Sequence, residues 1–172
     1  EHRRLTAGWT ATGADVPAGG VDALFAARVT RTPHATALIA GGDALTYVQL
    51  NDRVERLARL LAARGAGPDR VVALALPRSA DLVAALLAVL RTGAGYLPLD
   101  LNHPTERLAL MLAEVDPVLA VADDTVAARL GLAADRVVDP VEPADAPAVR
   151  WDVVPGHAIA YVIFTSGSTG RP

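Results

Sequence analysis

The side chains best suited to chemistry lie at the C-terminal end of the sequence. An apolar run at residues 158–164 is followed by four hydroxyls and two glycines: Thr165, Ser166, Gly167, Ser168, Thr169 and Gly170. Backbone N–H and side-chain O–H groups in such a segment can converge on an anion such as phosphate. Glycine suits this role because a Cβ would block positive-φ turns and keep the backbone away from phosphate oxygens. We therefore predict a phosphate-binding loop, although the composition alone fits a flexible Gly/Ser linker equally well.

Familiar glycine motifs do not explain this chain. Its basic side chains are 16 arginines with no lysine, so the lysine of a Walker A loop is missing. The G-x-S-x-G pattern of a nucleophile elbow does not occur either. Gly93 and Gly95 begin like a dinucleotide-binding fingerprint, but Pro98 stands where its third glycine belongs. Chemistry that needs an ammonium group must therefore use a lysine from outside these residues.

The remaining polar and aromatic candidates favour structural roles. No metal-ligand spacing links the histidines, which are His2, His34, His103 and His157. Asp123 and Asp124 precede an expected helix, where the macrodipole favours acidic side chains, and we explain Asp100 in the same way. Tyr96 and Trp151 fit core or interface positions. The sequence thus predicts neither a catalytic residue nor a metal ligand among these residues.

Composition limits the class of protein. The chain has 172 residues, 52% of them hydrophobic, with a net charge of −3 and no cysteine. These values predict one soluble globular core in a reducing cytoplasm, without the basic surface of a nucleic-acid binder. The longest strongly apolar run, residues 82–90, is shorter than the roughly 18 residues of a membrane span. Because the sequence starts at Glu1 and its only methionine is Met111, we expect a piece of a longer chain.

Alternating helix and strand patterns predict how the hydroxyl-rich segment is positioned. Helices are indicated over residues 21–31, between Thr46 and Gly65, over 80–92, from Pro104 through Val115, and over 125–130. Strands are indicated at 71–76, 96–99, 118–122 and 158–164, with a hairpin at residues 37–47 and a surface loop at 139–150. This order predicts an α/β fold with a layered, mostly parallel sheet flanked by helices on both faces. Ligands of such sheets bind at the carboxyl ends of the strands, where residues 165–170 are expected.

Three segments together resemble the first three core motifs of adenylation domains from nonribosomal peptide synthetases. They are residues 45–50 (LTYVQL), 90–100 (LRTGAGYLPLD) and 161–172 (YVIFTSGSTGRP), in the order and spacing of that family. Residues 1–12, with Trp9 as the expected anchor, resemble the linker that follows a condensation domain. The resemblance divides the chain into an arm at residues 1–20 and the N-terminal part of an adenylation domain, with the adenylate-forming enzyme fold, at residues 21–172.

The resemblance implies a function. Members of this family activate an amino acid with ATP and Mg²⁺, release pyrophosphate, and pass the aminoacyl group to a carrier-protein thiol. By position in the motif, the ATP phosphates would be held by Thr165, Ser166, Gly167, Ser168, Thr169 and Gly170. The implied partners are an upstream condensation domain and a downstream peptidyl carrier protein, with an MbtH-like protein left open.

This sequence departs from the family pattern in two respects. Arg91 and Thr92 replace the lysine and alanine usual in the second motif, a change that we expect a helix end to tolerate. The lysine that usually follows the third motif and the segments for adenine, ribose and the substrate amino group would come after Pro172, so we expect these residues to be inactive alone. Two other functions stay open: a fragment of an acyl-CoA or fatty-acyl-AMP ligase, and a non-catalytic module that docks on a condensation domain.

Overall fold

A computed structural model describes residues 4–11, 13, 19–143 and 147–165 of the chain. Its helices are α1 (Val21–Arg31), α2 (Tyr47–Ala63), α3 (Ala80–Arg91), α4 (Thr105–Val115) and α5 (Asp124–Leu130). Its strands are β1 (Thr36–Ala40), β2 (Asp43–Thr46), β3 (Val71–Leu74), β4 (Gly95–Pro98), β5 (Leu119–Val121) and β6 (Val137–Val138). Short helical turns occupy Arg4–Gly8 and Ala134–Arg136. None of the described helices is long and apolar enough to cross a membrane.

The main sheet has the strand order β4-β3-β5-β6, and all of its neighbouring strands are parallel. Side chains alternate between its two faces, as the strand period requires. Val72 and Leu74 join the core under α2 and α3, whereas Ala73 joins the core under α4 and α5. The predicted α/β fold with helices on both faces is therefore confirmed. β6 was not predicted, because two residues carry no periodicity.

The local signals for α2 and the hairpin are confirmed. β1 and β2 pair antiparallel around Gly41 and Gly42, both of which have positive φ. Thr46 ends the hairpin and begins α2 with a capping box, in which its Oγ1 accepts from the N–H of Gln49 at 3.3 Å. The Gln49 side chain accepts from the Thr46 N–H at 2.9 Å. Each side chain thus satisfies a backbone donor at the helix start.

The prediction of a buried strand over residues 158–164 is wrong. This segment forms only an isolated parallel bridge between Tyr161 and Tyr96 of β4. Its backbone bonds run from the Tyr96 N–H to the Ala160 carbonyl at 3.0 Å and from the Val162 N–H to the Tyr96 carbonyl at 2.9 Å. Ile159, Tyr161 and Ile163 are more than half exposed. An apolar run predicts burial, but here no described element covers the face on which these three side chains lie.

The prediction that Trp9 anchors the N-terminal arm is also wrong. Its side chain is 70% exposed, directly after the turn at Arg4–Gly8. Within that arm Thr10 Oγ1 donates to the Thr6 carbonyl at 2.7 Å, which is a local bond and not a contact to the core. The division of the chain at residue 20 stays a prediction, although α1 does begin at Val21.

Candidate functional site at the carboxyl edge of the sheet

The carboxyl ends of the parallel strands define one edge of the molecule. β3 and β4 end there at Leu74 and Pro98. Because residue 161 pairs in parallel with residue 96, the segment that follows runs the same way and Thr165 leaves the sheet at this edge. The Thr165 side chain is exposed. The other predicted phosphate-binding residues, Ser166, Gly167, Ser168, Thr169 and Gly170, lie outside the described residues.

A cleft of about 470 Å³ lies at this edge between the ends of β3 and β4. Its walls are mainly apolar, from Leu74 and Leu82 on one side to Pro98 on the other. Arg78 and Asp100 add opposite charges to its rim. No local sequence pattern predicts this cleft, since its lining comes from the ends of two strands, two loops and a helix.

Asp100 holds the turn that follows β4. Its Oδ1 accepts from the Asn102 N–H at 3.0 Å and from the Asn102 side chain at 2.9 Å. These hydrogen bonds, with smaller contributions from the charges of His103 and Arg78, lower the pKa of Asp100 below its usual value. The explanation by a helix N-terminus is wrong for Asp100, because α4 begins only at Thr105 and the carboxylate stabilises a turn instead.

The same explanation is confirmed for the aspartates after β5. Asp123 is the N-cap of α5, and its Oδ1 accepts from the Val126 N–H at 2.8 Å. Asp124 lies in the first turn, where the helix macrodipole favours a negative charge. Among the described residues, no group of three or more His, Asp and Glu side chains is arranged to hold a metal ion.

Gly95 allows the segment that carries Thr165 to approach β4. A Cβ at this position would lie 2.9 Å from Ile159 Cγ2 and 3.2 Å from the Ile159 carbonyl oxygen. Just before it, Gly93 has a φ of 83°, which favours glycine after the end of α3. Both glycines of the rejected dinucleotide fingerprint therefore have structural explanations.

Comparison with known proteins shows the family of this chain. The AMP-binding enzyme family matches residues 25–172, which is most of the sequence. The chain belongs to this family. The resemblance drawn from the three sequence motifs is thereby supported, and the relatives named next extend it to nonribosomal peptide synthesis.

Two curated relatives and one solved structure illustrate the relationship. Novobiocin biosynthesis protein H of Streptomyces niveus is 44% identical over 87% of this chain, which spans 27% of that protein. A dimodular nonribosomal peptide synthase of Bacillus subtilis (strain 168) is 35% identical over the full chain, which spans 8% of it. The nonribosomal peptide synthetase FmoA3, in its AMPPNP-bound form, superposes with a TM-score of 0.83 at 29% identity, covering 95% of this chain and 18% of its own.

A buried polar cluster lies at the C-terminal end of α3, just before β4 begins. Arg91, the last residue of α3, is only 5% exposed. Its Nε donates to Asp22 Oδ1 at 2.9 Å, and one terminal nitrogen donates to Asn51 Oδ1 at 3.1 Å and to Glu55 Oε2 at 3.2 Å. Glu55 Oε2 also accepts from the Trp151 Nε1–H at 2.9 Å. The cluster therefore joins three helices to the connection that leads towards Thr165.

Glu55 stays ionised at the centre of this cluster. Burial alone would raise its pKa. The hydrogen bonds from Trp151 and Arg59 and the charges of Arg59 and Arg91 outweigh burial, so the pKa of Glu55 lies below its usual value. The sequence offered one signal for such a cluster. An arginine in the last turn of an almost wholly apolar helix must find carboxylate partners if it is buried.

Proposed function

We propose that this chain is the N-terminal part of an adenylation domain in a nonribosomal peptide synthetase, where it helps to activate an amino acid with ATP. Membership of the AMP-binding enzyme family supports this function. The named relatives support amino-acid activation over the acyl-CoA or fatty-acyl alternative, since one of them is a nonribosomal peptide synthase and the superposed structure is a nonribosomal peptide synthetase.

One observation carries the proposal for this chain's own residues. The segment that ends at Thr165 runs parallel to β4, so Thr165 leaves the sheet at its carboxyl edge, and the other hydroxyl-rich residues follow it in the sequence. Open α/β sheets bind ligands at this edge. A phosphate group brought there would meet the exposed hydroxyl of Thr165.

We propose that Thr165, Ser166, Gly167, Ser168, Thr169 and Gly170 bind the ATP phosphates through side-chain O–H and backbone N–H groups. Such donors suit phosphate oxygens, and the exposure of Thr165 leaves its hydroxyl accessible. Their role is to position the phosphates and to stabilise the charge that develops during transfer. Mg²⁺ often reaches such sites on the substrate phosphates with few protein carboxylates, and we propose that it enters with ATP here.

The rest of the synthetase would supply what this chain lacks. No lysine is present in the sequence, so a catalytic ammonium group would come from outside it, and we propose that the chain alone does not form an aminoacyl adenylate. An upstream condensation domain and a downstream peptidyl carrier protein are the partners that the proposal requires. An MbtH-like protein stays an open partner, and a cytoplasmic location stays a prediction from the absence of cysteine.

Amino-acid-dependent exchange of pyrophosphate into ATP tests the proposal in the intact synthetase that contains this chain. Gly167→Val and Gly170→Val should each lower kcat/KM for ATP by about 100-fold, because a branched side chain would keep the backbone N–H groups from the phosphate oxygens, and losing one such donor has about this effect. Gly156→Val is the matched control, because open space surrounds Gly156 and its φ is not in the left-handed region.

Two outcomes would contradict the proposal. Undiminished exchange in both loop variants would exclude the phosphate-binding role of residues 165–170. Exchange activity in the isolated chain of 172 residues would exclude the prediction that the chain is inactive alone.

A further inference from the structure

The connection that precedes the candidate phosphate loop is loosely packed. Residues 147–157 form neither helix nor strand. Cavities of about 240 and 520 Å³ flank this connection, and both are lined by Trp151, Asp152 and Val153. Val153 is 86% exposed. With so little packing on either side, a specific side-chain contact is needed to fix where the connection runs.

Trp151 supplies that contact. Its ring packs against the core under α2 and α3, and its Nε1–H donates to Glu55 Oε2 at 2.9 Å. Among the described residues, this is the one side-chain hydrogen bond that residues 147–157 make. Hydrogen bonds to an ionised carboxylate are stronger than neutral ones, so the bond can determine the path of the chain seven residues before position 158.

Glu55 is itself held in place by two arginines. Arg59 Nε donates to Glu55 Oε1 at 2.8 Å, and Arg91 donates to Glu55 Oε2 at 3.2 Å. Arg91 is in turn fixed by Asp22 and Asn51. Because the Arg91 side chain is nearly fully buried between these partners, the position of the Glu55 carboxylate depends on it.

Arg91 is also linked through the backbone of β4 to residues 158–165. Thr92 follows Arg91, and its Oγ1 accepts from the Ala94 N–H at 3.3 Å. β4 then begins at Gly95, and Tyr96 binds the backbone of residues 160 and 162. The segment leading to Thr165 is therefore held at its start by Trp151 and in its middle by Tyr96. Arg91 is linked to both contacts, because it binds Glu55, the partner of Trp151, and shortly precedes β4, which contains Tyr96.

We propose that Arg91 and Glu55 are positioning residues for the phosphate-binding loop, acting through Trp151 on the segment that ends at Thr165. They do not touch ATP. The link to ATP rests on the proposed function, whereas the link to the segment rests on the contacts above.

Substitutions at Trp151 and Glu55 test the proposal in the intact synthetase. Trp151→Phe keeps an aromatic ring and removes the N–H donor, and Glu55→Gln keeps the shape and removes the charge. Each should speed hydrogen exchange of the Val162 amide, which donates to the Tyr96 carbonyl, by about tenfold, as expected for losing a hydrogen bond to a charged group. Exchange in α2 and α3 should stay unchanged in Trp151→Phe.

Steady-state kinetics separates positioning from a merely structural role. If the loop is displaced, KM for ATP should rise by about tenfold while KM for the amino acid stays constant. A variant that only loses folded protein would lower kcat and leave both KM values unchanged. Arg91→Lys, which keeps the charge, should recover part of the ATP affinity that Arg91→Ala loses.

Arg53→Ala is the matched control. Arg53 also joins α2 to α3, through Asp81 at 3.1 Å, but this ion pair is partly exposed and has no contact with residues 147–157. Arg53→Ala should change neither the amide hydrogen exchange of the segment that leads to Thr165 nor KM for ATP.

Two results would overturn the proposal or its basis, and they can be told apart. A wild-type rate of hydrogen exchange at the Val162 amide in both Trp151→Phe and Glu55→Gln would overturn the positioning role, even if Arg91 variants fail to fold. A wild-type synthetase without ATP–pyrophosphate exchange would instead overturn the proposed function, and the hydrogen-exchange measurement would still decide the positioning role.

Discussion

The two outer strands of the parallel sheet, β6 and β4, are bordered in different ways, and we call these two sides of the sheet the β6 edge and the β4 edge. At the β6 edge, Arg56 of α2 donates to the carbonyls of Pro140 and Glu142 after the strand, and Arg64, the residue that follows α2, donates to the Val137 carbonyl in the strand. At the β4 edge, residues 158–164 are held by two backbone bonds to Tyr96, and alternate side chains remain exposed. Side chains from a neighbouring helix therefore secure a strand of only two residues, whereas the longer apolar run stays incompletely covered.

This difference separates stability from function in the molecule. The β6 edge contributes buried core, and Val138 is fully buried there. At the β4 edge, β4 itself supplies the buried Leu97, whereas residues 158–164 beside it have three side chains more than half exposed and lead into the candidate phosphate loop. Local stability is commonly low where a segment must respond to a ligand.

The largest expected effect tests directly whether the β6 edge contributes more to the core than residues 158–164 do. Val138→Ala should lower the free energy of unfolding by about 2–3 kcal/mol, because it removes two buried methyl groups and leaves a cavity. Ile163→Ala removes a larger side chain that is 59% exposed and should cost less than about 0.5 kcal/mol. Denaturant unfolding of both variants checks the contrast. Equal losses would show that the two edges contribute equally to the core.

A second substitution targets the approach of the two backbones at the β4 edge. Gly95→Ala would bring a Cβ within 3.2 Å of the Ile159 carbonyl, so we expect a loss of about 1–3 kcal/mol and faster exchange of the Val162 amide. The control is Gly67→Ala, where open space surrounds the new methyl group. Unchanged exchange at Val162 would mean that the segment shifts without losing its bonds to Tyr96.

The smallest effect concerns acid pH and Glu55. Since its pKa is lowered on folding, ionised Glu55 stabilises the folded chain above its ordinary pKa, and that stability is lost as the pH falls through the lowered value. Wild-type stability should therefore decline more steeply on acidification than that of Glu55→Gln. Unfolding measured between neutral pH and about pH 3 tests this, and parallel pH profiles would contradict it.

Local signals in the sequence predicted most of the helices and strands. Pro33 lies just past the end of α1, Ser79 caps α3 by accepting from the Leu82 N–H, and Thr46 with Gln49 begins α2. Each of these features depends on residues a few positions apart, so the sequence alone contains the information.

The features that were missed depend on residues far apart in the chain. Arg91 binds Asp22 and Glu55, and Glu55 binds Trp151, across separations of 69, 36 and 96 residues. Whether residues 158–164 form a strand also depends on residues far away in the chain, because the backbone groups of a strand need hydrogen-bond partners on a neighbouring strand. For the candidate site, the phosphate-binding role of residues 165–170 stays a prediction from the sequence, and the parallel bridge at Tyr161 supplied the direction in which Thr165 leaves the sheet.

The ring contact between Tyr96 and Tyr161 has a practical consequence. Their centroids lie 5.8 Å apart, and burial together with the neighbouring phenol raises the pKa of Tyr96. If the segment detaches from β4, Tyr96 loses both influences and its phenol should ionise closer to the ordinary value. Spectrophotometric titration of phenolate absorbance would thus give an intrinsic optical signal for the docking of the loop-bearing segment, without any attached label.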